Sequence, residues 1–113
     1  MQDHRREVRM MCADMVEMRW EDQKKRTQRA LALLEDISPS GACLQLENAV
    51  PLGTEVHWDC PKQSFAGFVR YCVYREIGFF VGVEFPDSCR WSEKAFKPLH
   101  LLDLGKLVAN TKK

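Results

Sequence analysis

Apolar and polar residues alternate along residues 8–20, the period-two pattern of a β-strand with one buried face. The alternation is interrupted at Asp14. The charged segment 21–25 predicts a hairpin turn, and the extended run 27–37 predicts the strand that returns from it. Residues 30–34 alone would also suit a helix, but the turn on each side of the run favours a strand.

Proline and glycine divide the next part of the chain into short strands. They mark turns at 36–41 and 48–53, and Pro61 and Pro86 each end a strand. Aromatic and β-branched residues enrich the last two of these strands. The strands predicted between the turns are 42–46, a strand containing Val56 and Trp58, 65–74 and 78–85.

The pattern becomes helical after Ser92, a residue suited to capping a helix N-terminus. Apolar residues then recur at helical spacing, at Phe96, Leu99, Leu102 and Leu107. Six strands followed by one helix predict a mainly β fold. We expect a small six-stranded antiparallel β-barrel with the C-terminal α-helix against one opening. Closing the sheet into a barrel removes its unpaired edges.

Composition narrows the class of protein. The 113 residues are 45% hydrophobic and 29% charged, which is typical of one globular domain. The apolar runs are too short to span a bilayer, so no membrane association is expected. The net charge of +1 argues against a protein that grips long nucleic acid by charge alone.

Cysteine usage and the N-terminal residues predict a cytoplasmic protein. The five cysteines form an odd, widely spaced set without a Cys-x-x-Cys motif, which indicates reduced thiols. The first residues lack the apolar stretch of a signal peptide. His57 and Cys60 are the one pair with metal-ligand spacing, and no second pair lies near them in sequence, so no metal site is predicted.

Two polar motifs have complementary chemistry. Arg5, Arg6 and Arg9 lie in an arm, residues 1–9, whose low apolar content predicts flexibility. Arginine is a planar fork of donors suited to phosphate and to the O6/N7 edge of guanine. The loop 36–41 offers a carboxylate acceptor, a hydroxyl and a glycine that permits close approach. Together they predict a site for a small ligand that carries guanine and phosphate.

The chain resembles the PilZ domain family at these residues, whose members bind cyclic di-GMP. The motifs are Arg5-x-x-x-Arg9 and Asp36-x-Ser38-x-x-Gly41, with support from Val81-Gly-Val-Glu-Phe85. The resemblance implies a barrel of the split-barrel type. It also implies that Arg5 and Arg9 contact guanine edges and phosphates, and that Asp36 holds a guanine. It also implies four further site residues. Arg6 is basic but lies outside the strict pair, and Ser38 would support the loop or a phosphate. Gly41 would allow close approach, and Arg70 would line the same face.

The resemblance extends from about residue 5 to about residue 107. It implies an arginine arm at 1–9, a barrel domain with its helix at 8–108, and a tail at 109–113. We expect a stand-alone bacterial receptor in second-messenger signalling, with no cofactor, that orders its arm on the ligand. Only four residues precede Arg5, so we expect output through an unidentified effector protein or through self-association, from a monomer or a homodimer.

Other interpretations stay open from the residues. A nucleic-acid-binding small barrel could stack bases on its aromatic residues, although their strand spacing favours core packing. Those aromatic residues are Trp58, Phe65, Phe68, Tyr71 and Tyr74. A PilZ-like protein-interaction adaptor that does not bind cyclic di-GMP is a further alternative. An enzyme is not expected, because the three histidines are far apart in sequence and no nucleophile motif or carboxylate pair accompanies them.

Overall fold

The computed structural model describes residues 9–60 and 63–89, and within them the chain forms a closed antiparallel β-barrel. The strand order around the barrel is β1-β2-β3-β6-β5-β4. The predicted mainly β, six-stranded barrel is confirmed. The predicted C-terminal helix, the tail 109–113 and residues 1–8 of the predicted arm lie outside the described residues. The strands are β1 (Met10–Glu21), β2 (Thr27–Ser38), β3 (Gly41–Leu46), β4 (Glu55–Cys60), β5 (Gln63–Arg75) and β6 (Gly78–Glu84).

The interior is filled by the inward-facing residues of all six strands. At one end of the barrel, Trp58 stacks on Phe65 with ring centroids 5.5 Å apart, and Phe65 stacks on Phe85 at 5.4 Å. Trp58 and Phe65 are buried, as core packing predicts, whereas Phe68, Tyr71 and Tyr74 are exposed, so core packing was the wrong prediction for those three. Burying such rings contributes a large share of the stability of so small a barrel.

The turn between β1 and β2 is built around one carboxylate. Asp22 accepts hydrogen bonds from the backbone N–H groups of Lys24 and Arg26, each at 2.9 Å. Lys25 has the left-handed φ of 61° that the tight turn requires. The segment 30–34 lies within β2, which confirms the strand interpretation over the helical one.

Three irregularities in strand pairing reset which side chains face outward. In β2 the register shifts between Leu34 and Asp36, so that Leu34 and Ile37 are both fully buried and Asp36 faces out. The register of β5 shifts between Val69 and Tyr71, and that of β1 shifts near Asp14, where the sequence alternation is interrupted. A β-bulge of this kind re-aims the side chains that follow it.

All five cysteines are free thiols. Cys12 and Cys43 are buried, and Cys60, Cys72 and Cys89 are half-buried. Within residues 9–60 and 63–89, no helix is long and apolar enough to cross a membrane.

Candidate ligand-binding site

The two sequence motifs meet at the start of β1 and the end of β2. Arg9 directly precedes β1, and its Nη1 lies 3.7 Å from Oδ2 of Asp36. The Arg9 side chain is 65% exposed and that of Asp36 is 17% exposed. The structure therefore brings one arginine of the arm and the loop carboxylate together. Arg5 and Arg6 lie outside the described residues.

Asp36 belongs to a row of residues on the outer side of the barrel wall, in which Cys43 is buried beside the Tyr71 side chain. It pairs with Cys43 on β3, Cys43 pairs with Gly82 on β6, and Gly82 pairs with Tyr71 on β5. Because neighbouring strands lie about 4.8 Å apart, the backbones of Asp36 and Tyr71 are about 14 Å apart along the row. We name these four residues the Asp36 row.

The Tyr71 side chain extends from β5 back along the Asp36 row, over Gly82 and towards Cys43. A Cβ atom on Gly82 would lie only 2.0 Å from Cε2 of the Tyr71 ring, so the ring occupies the space that the glycine leaves open. The Tyr71 side chain also hydrogen-bonds to Cys43, and burial together with this bond raises the pKa of Tyr71 to about 12. The hydroxyl therefore stays protonated, and the ring is fixed with 41% of the residue exposed.

Sequence reasoning missed Tyr71 as a site residue. It grouped Tyr71 with the core aromatics, because strict alternation along β5 does not include the irregularity after Val69. A signal for it exists in the sequence: an outward-facing glycine inside a strand, opposite an aromatic residue, indicates that the ring covers the glycine.

Ser38 and Gly41 shape the turn beside Asp36. They face each other at the end of the β2–β3 pair, and the Ser38 hydroxyl donates to the Gly41 carbonyl oxygen at 3.3 Å. A Cβ atom on Gly41 would lie 2.3 Å from the carbonyl oxygen of Val83 on β6. The close approach at Gly41 in this structure is thus between two strands, and it determines where the turn holds Asp36.

We expect Gly41→Ala to destabilise the protein by about 1–3 kcal/mol, because the new methyl group meets backbone rather than a movable side chain. Urea unfolding followed by tryptophan fluorescence measures this. Asn48→Ala, at an exposed position in the loop after β3, serves as the control and should change stability much less. An unchanged unfolding midpoint for Gly41→Ala would contradict the tight β3–β6 packing.

Arg70 lies beside the Asp36 row rather than within it. It is the residue at which the β5 register shifts, and its Nε donates to a carboxylate oxygen of Glu84. Glu84 pairs with Gly41 on one side and with Phe68 on the other. The structure therefore places Arg70 on the outer wall near the β2–β3 turn, with its charge paired to a carboxylate.

Burial governs the acidity of Asp36. Desolvation raises its pKa above the ordinary value of 3.8, while the Arg9 charge and a hydrogen bond from the Cys43 N–H lower it in part. A carboxylate that is partly buried and incompletely compensated costs folding free energy when ionised. Such a group is also a strong acceptor for a ligand that supplies N–H donors.

This balance predicts that Asp36→Asn stabilises the protein at neutral pH. The folded-state pKa of Asp36 is raised, so ionised Asp36 lowers the stability of the parent above that pKa, and the penalty disappears as the pH falls below 3.8. Thermal melts of parent and variant should therefore differ at pH 7 and converge in acid. The control is Asp59→Asn, which should destabilise, because a Ser64 hydrogen bond and then Arg19 lower the Asp59 pKa. A parent more stable than Asp36→Asn at pH 7 would contradict this.

No protein-family model matches the chain, and no curated protein is significantly similar to it. Among the described residues, no group of three or more histidine, cysteine, aspartate or glutamate side chains is arranged to hold a metal ion.

Proposed function

We propose that the protein is a receptor domain for cyclic di-GMP, which binds on the outer wall of the barrel at Arg9 and the Asp36 row. The observation that carries the proposal is the meeting of Arg9 and Asp36, which come from the two motifs of the sequence resemblance and lie 3.7 Å apart. Arg5 and Arg6 belong to the proposal through the same resemblance. The receptor would pass the signal to an effector protein.

The charges at this end of the barrel suit a ligand that carries both phosphate and guanine. At 3.7 Å the Arg9–Asp36 ion pair is longer than a hydrogen bond, so each group retains hydrogen-bonding capacity. The exposed Arg9 guanidinium offers a fork of donors to a phosphate or to the O6/N7 edge of guanine. Asp36 offers acceptors to the N–H groups on the Watson–Crick edge of guanine.

Arg70 would add a second guanidinium. It lies on the same outer wall, and its partner Glu84 is half-exposed, so water weakens their attraction. A phosphate approaching the β2–β3 turn could therefore compete with Glu84 for Arg70.

Tyr71 would supply the apolar side of the site. Stacking of a base on an aromatic ring contributes about 1–3 kcal/mol. The ring is already immobilised on Gly82 and bonded to Cys43, so stacking costs little further side-chain entropy. The ring lies over Gly82 and its side chain bonds to Cys43, the strand neighbour of Asp36, so a base stacked on the ring would lie beside the carboxylate.

We expect Tyr71→Ala to weaken cyclic di-GMP binding by about tenfold or more, while Tyr71→Phe, which keeps the ring, retains most of the affinity. Tyr74→Ala is the matched control, because Tyr74 is 67% exposed and lies on the β5–β6 hairpin beyond the Asp36 row. Calorimetric titration of each variant gives the affinities. Equal affinity of Tyr71→Ala and parent would remove Tyr71 from the site.

The proposal as a whole is tested by titrating cyclic di-GMP, and separately a mixed-sequence single-stranded oligonucleotide, at two salt concentrations. We expect saturable binding of cyclic di-GMP and little binding of the oligonucleotide. Steeply salt-dependent oligonucleotide binding without a response to cyclic di-GMP would instead identify a nucleic-acid-binding barrel. Binding of neither would refute the receptor proposal.

A further inference from the structure

A patch of apolar side chains faces outward from the middle of β1 and β2 to the β5–β6 turn. It surrounds a hollow of about 470 Å³ on the outside of β1, β2 and the β5–β6 turn. Leu31 is 69% exposed, Ile77 67% and Met15 61%. We name this set, Met15, Leu31, Leu33 and Ile77, the Leu31 patch.

The Leu31 patch is continuous across neighbouring strands. Met15 on β1 lies directly opposite Leu33 on β2, and Leu31 lies one step along on the same outer face of β2. On the far side of the hollow, the Gln45 side chain donates to the Ile77 carbonyl oxygen at 3.0 Å and holds the β5–β6 turn against β3. Scattered exposed apolar residues need no explanation, but a contiguous group around a hollow marks an interaction surface.

The rim of the patch carries Glu17 and Arg29 on the β1–β2 side, and Glu47 lines the hollow after β3. Glu17 lies directly opposite Leu31. Arg29, two residues before Leu31 on β2, donates from Nη1 to Glu17 Oε1 at 3.1 Å. The Glu17 side chain is 54% exposed and that of Arg29 is 58% exposed, so both can meet a partner. A rim with a carboxylate and a guanidinium beside an apolar centre is complementary to itself after a two-fold rotation.

We propose that the Leu31 patch is the interface of a symmetric homodimer, in which a second copy of this chain covers the hollow. A two-fold interface presents the same surface on both subunits, so that surface must be self-complementary in shape and charge. Here the apolar centres meet each other, and Glu17 of each copy faces Arg29 of the other. The net charge of +1 per chain leaves little overall repulsion between two copies.

The interface goes beyond the proposed receptor function and does not depend on it. The Asp36 row and Arg9 contribute no residue to the Leu31 patch. The test of the dimer uses the protein without ligand.

The first test measures the mass of the full chain in solution by sedimentation equilibrium across a range of protein concentrations. We expect the parent to have twice the mass of one chain, Leu31→Glu to have the mass of one chain, and Leu52→Glu to remain a dimer. Leu52 is the matched control, since it is 68% exposed on the β3–β4 loop outside the patch. A monomeric parent at every concentration, or a Leu31→Glu variant that still dimerises, would overturn the proposal.

The second test reverses the rim charges and does not depend on disturbing the apolar centre. In a homodimer of Glu17→Arg, both symmetric rim contacts bring two arginines together. In a homodimer of Arg29→Glu, both contacts bring two glutamates together. Each homodimer should weaken by about tenfold. An equimolar mixture of the two variants restores opposite charges at both contacts, so it should form a mixed dimer near the parent affinity. A mixture no tighter than its components would overturn the two-fold arrangement.

Discussion

Replacing Arg9 with alanine is expected to lower the affinity for cyclic di-GMP by about ten- to a hundredfold while the barrel stays folded. Arg9 directly precedes β1 and its side chain is 65% exposed, so the folded state depends little on it. A charge-assisted hydrogen bond to phosphate or guanine contributes about 1.5–3 kcal/mol, and each 1.4 kcal/mol is about tenfold in affinity. Calorimetry measures the affinity, and a thermal melt confirms the fold.

Arg26→Ala is a closely matched control for that substitution. Arg26 pairs with Asp22 at the other end of the barrel, with 66% of its side chain and 22% of that of its partner exposed. The Arg9–Asp36 pair has nearly the same values, 65% and 17%. Loss of binding in Arg9→Ala but not in Arg26→Ala would show that position, and not charge alone, matters. Equal affinities of parent and Arg9→Ala would refute the site.

The largest loss of stability is expected for Trp58→Ala, about 3–5 kcal/mol. Trp58 is fully buried and contacts both Phe65 and Phe85, with ring centroids 5.5 and 5.9 Å apart. Truncation leaves a large cavity beside Phe65 and Phe85, which stack on each other at 5.4 Å. A protein of ordinary stability would lose a large part of its free energy of unfolding.

Urea unfolding monitored by circular dichroism measures this loss, and Tyr74→Ala is its control. Tyr74 is 67% exposed and meets Phe79 edge-on at 5.1 Å, so its removal should cost far less than that of Trp58. If both variants unfolded at the same urea concentration as the parent, the aromatic stack would not be the main support of this end of the barrel.

The strands and turns of this protein could be predicted because their signals are local. The period-two pattern before Trp20 and the glycine and proline turns near Gly41 and Gly53 lie where the structure has strands and turns. The barrel closure followed from the number and spacing of strands. Which residues pair across the closing edge, such as Trp20 with Val56, depends on contacts between distant segments and could not be derived from spacing.

Within the candidate site, the sequence indicated residue types but not directions. The two motifs of the sequence resemblance predicted that Asp36 and Arg9 share one site, and the structure places the two side chains next to each other. The outward orientation of Asp36 and Tyr71 depends on irregular pairing at Leu34 and Val69, which alternation alone does not encode. Met15 and Leu31, both apolar, lie on the outer face that the alternation along β1 and β2 gives them.

Backbone amide chemical-shift mapping during titration with cyclic di-GMP tests the central claim most directly. We predict that the largest shifts lie at Arg9 and along the Asp36 row, at Asp36, Cys43, Gly82 and Tyr71. The β1–β2 turn and the Leu31 patch should change little. Saturable shifts centred on the β1–β2 turn or on the Leu31 patch, with the Asp36 row unchanged, would contradict the account.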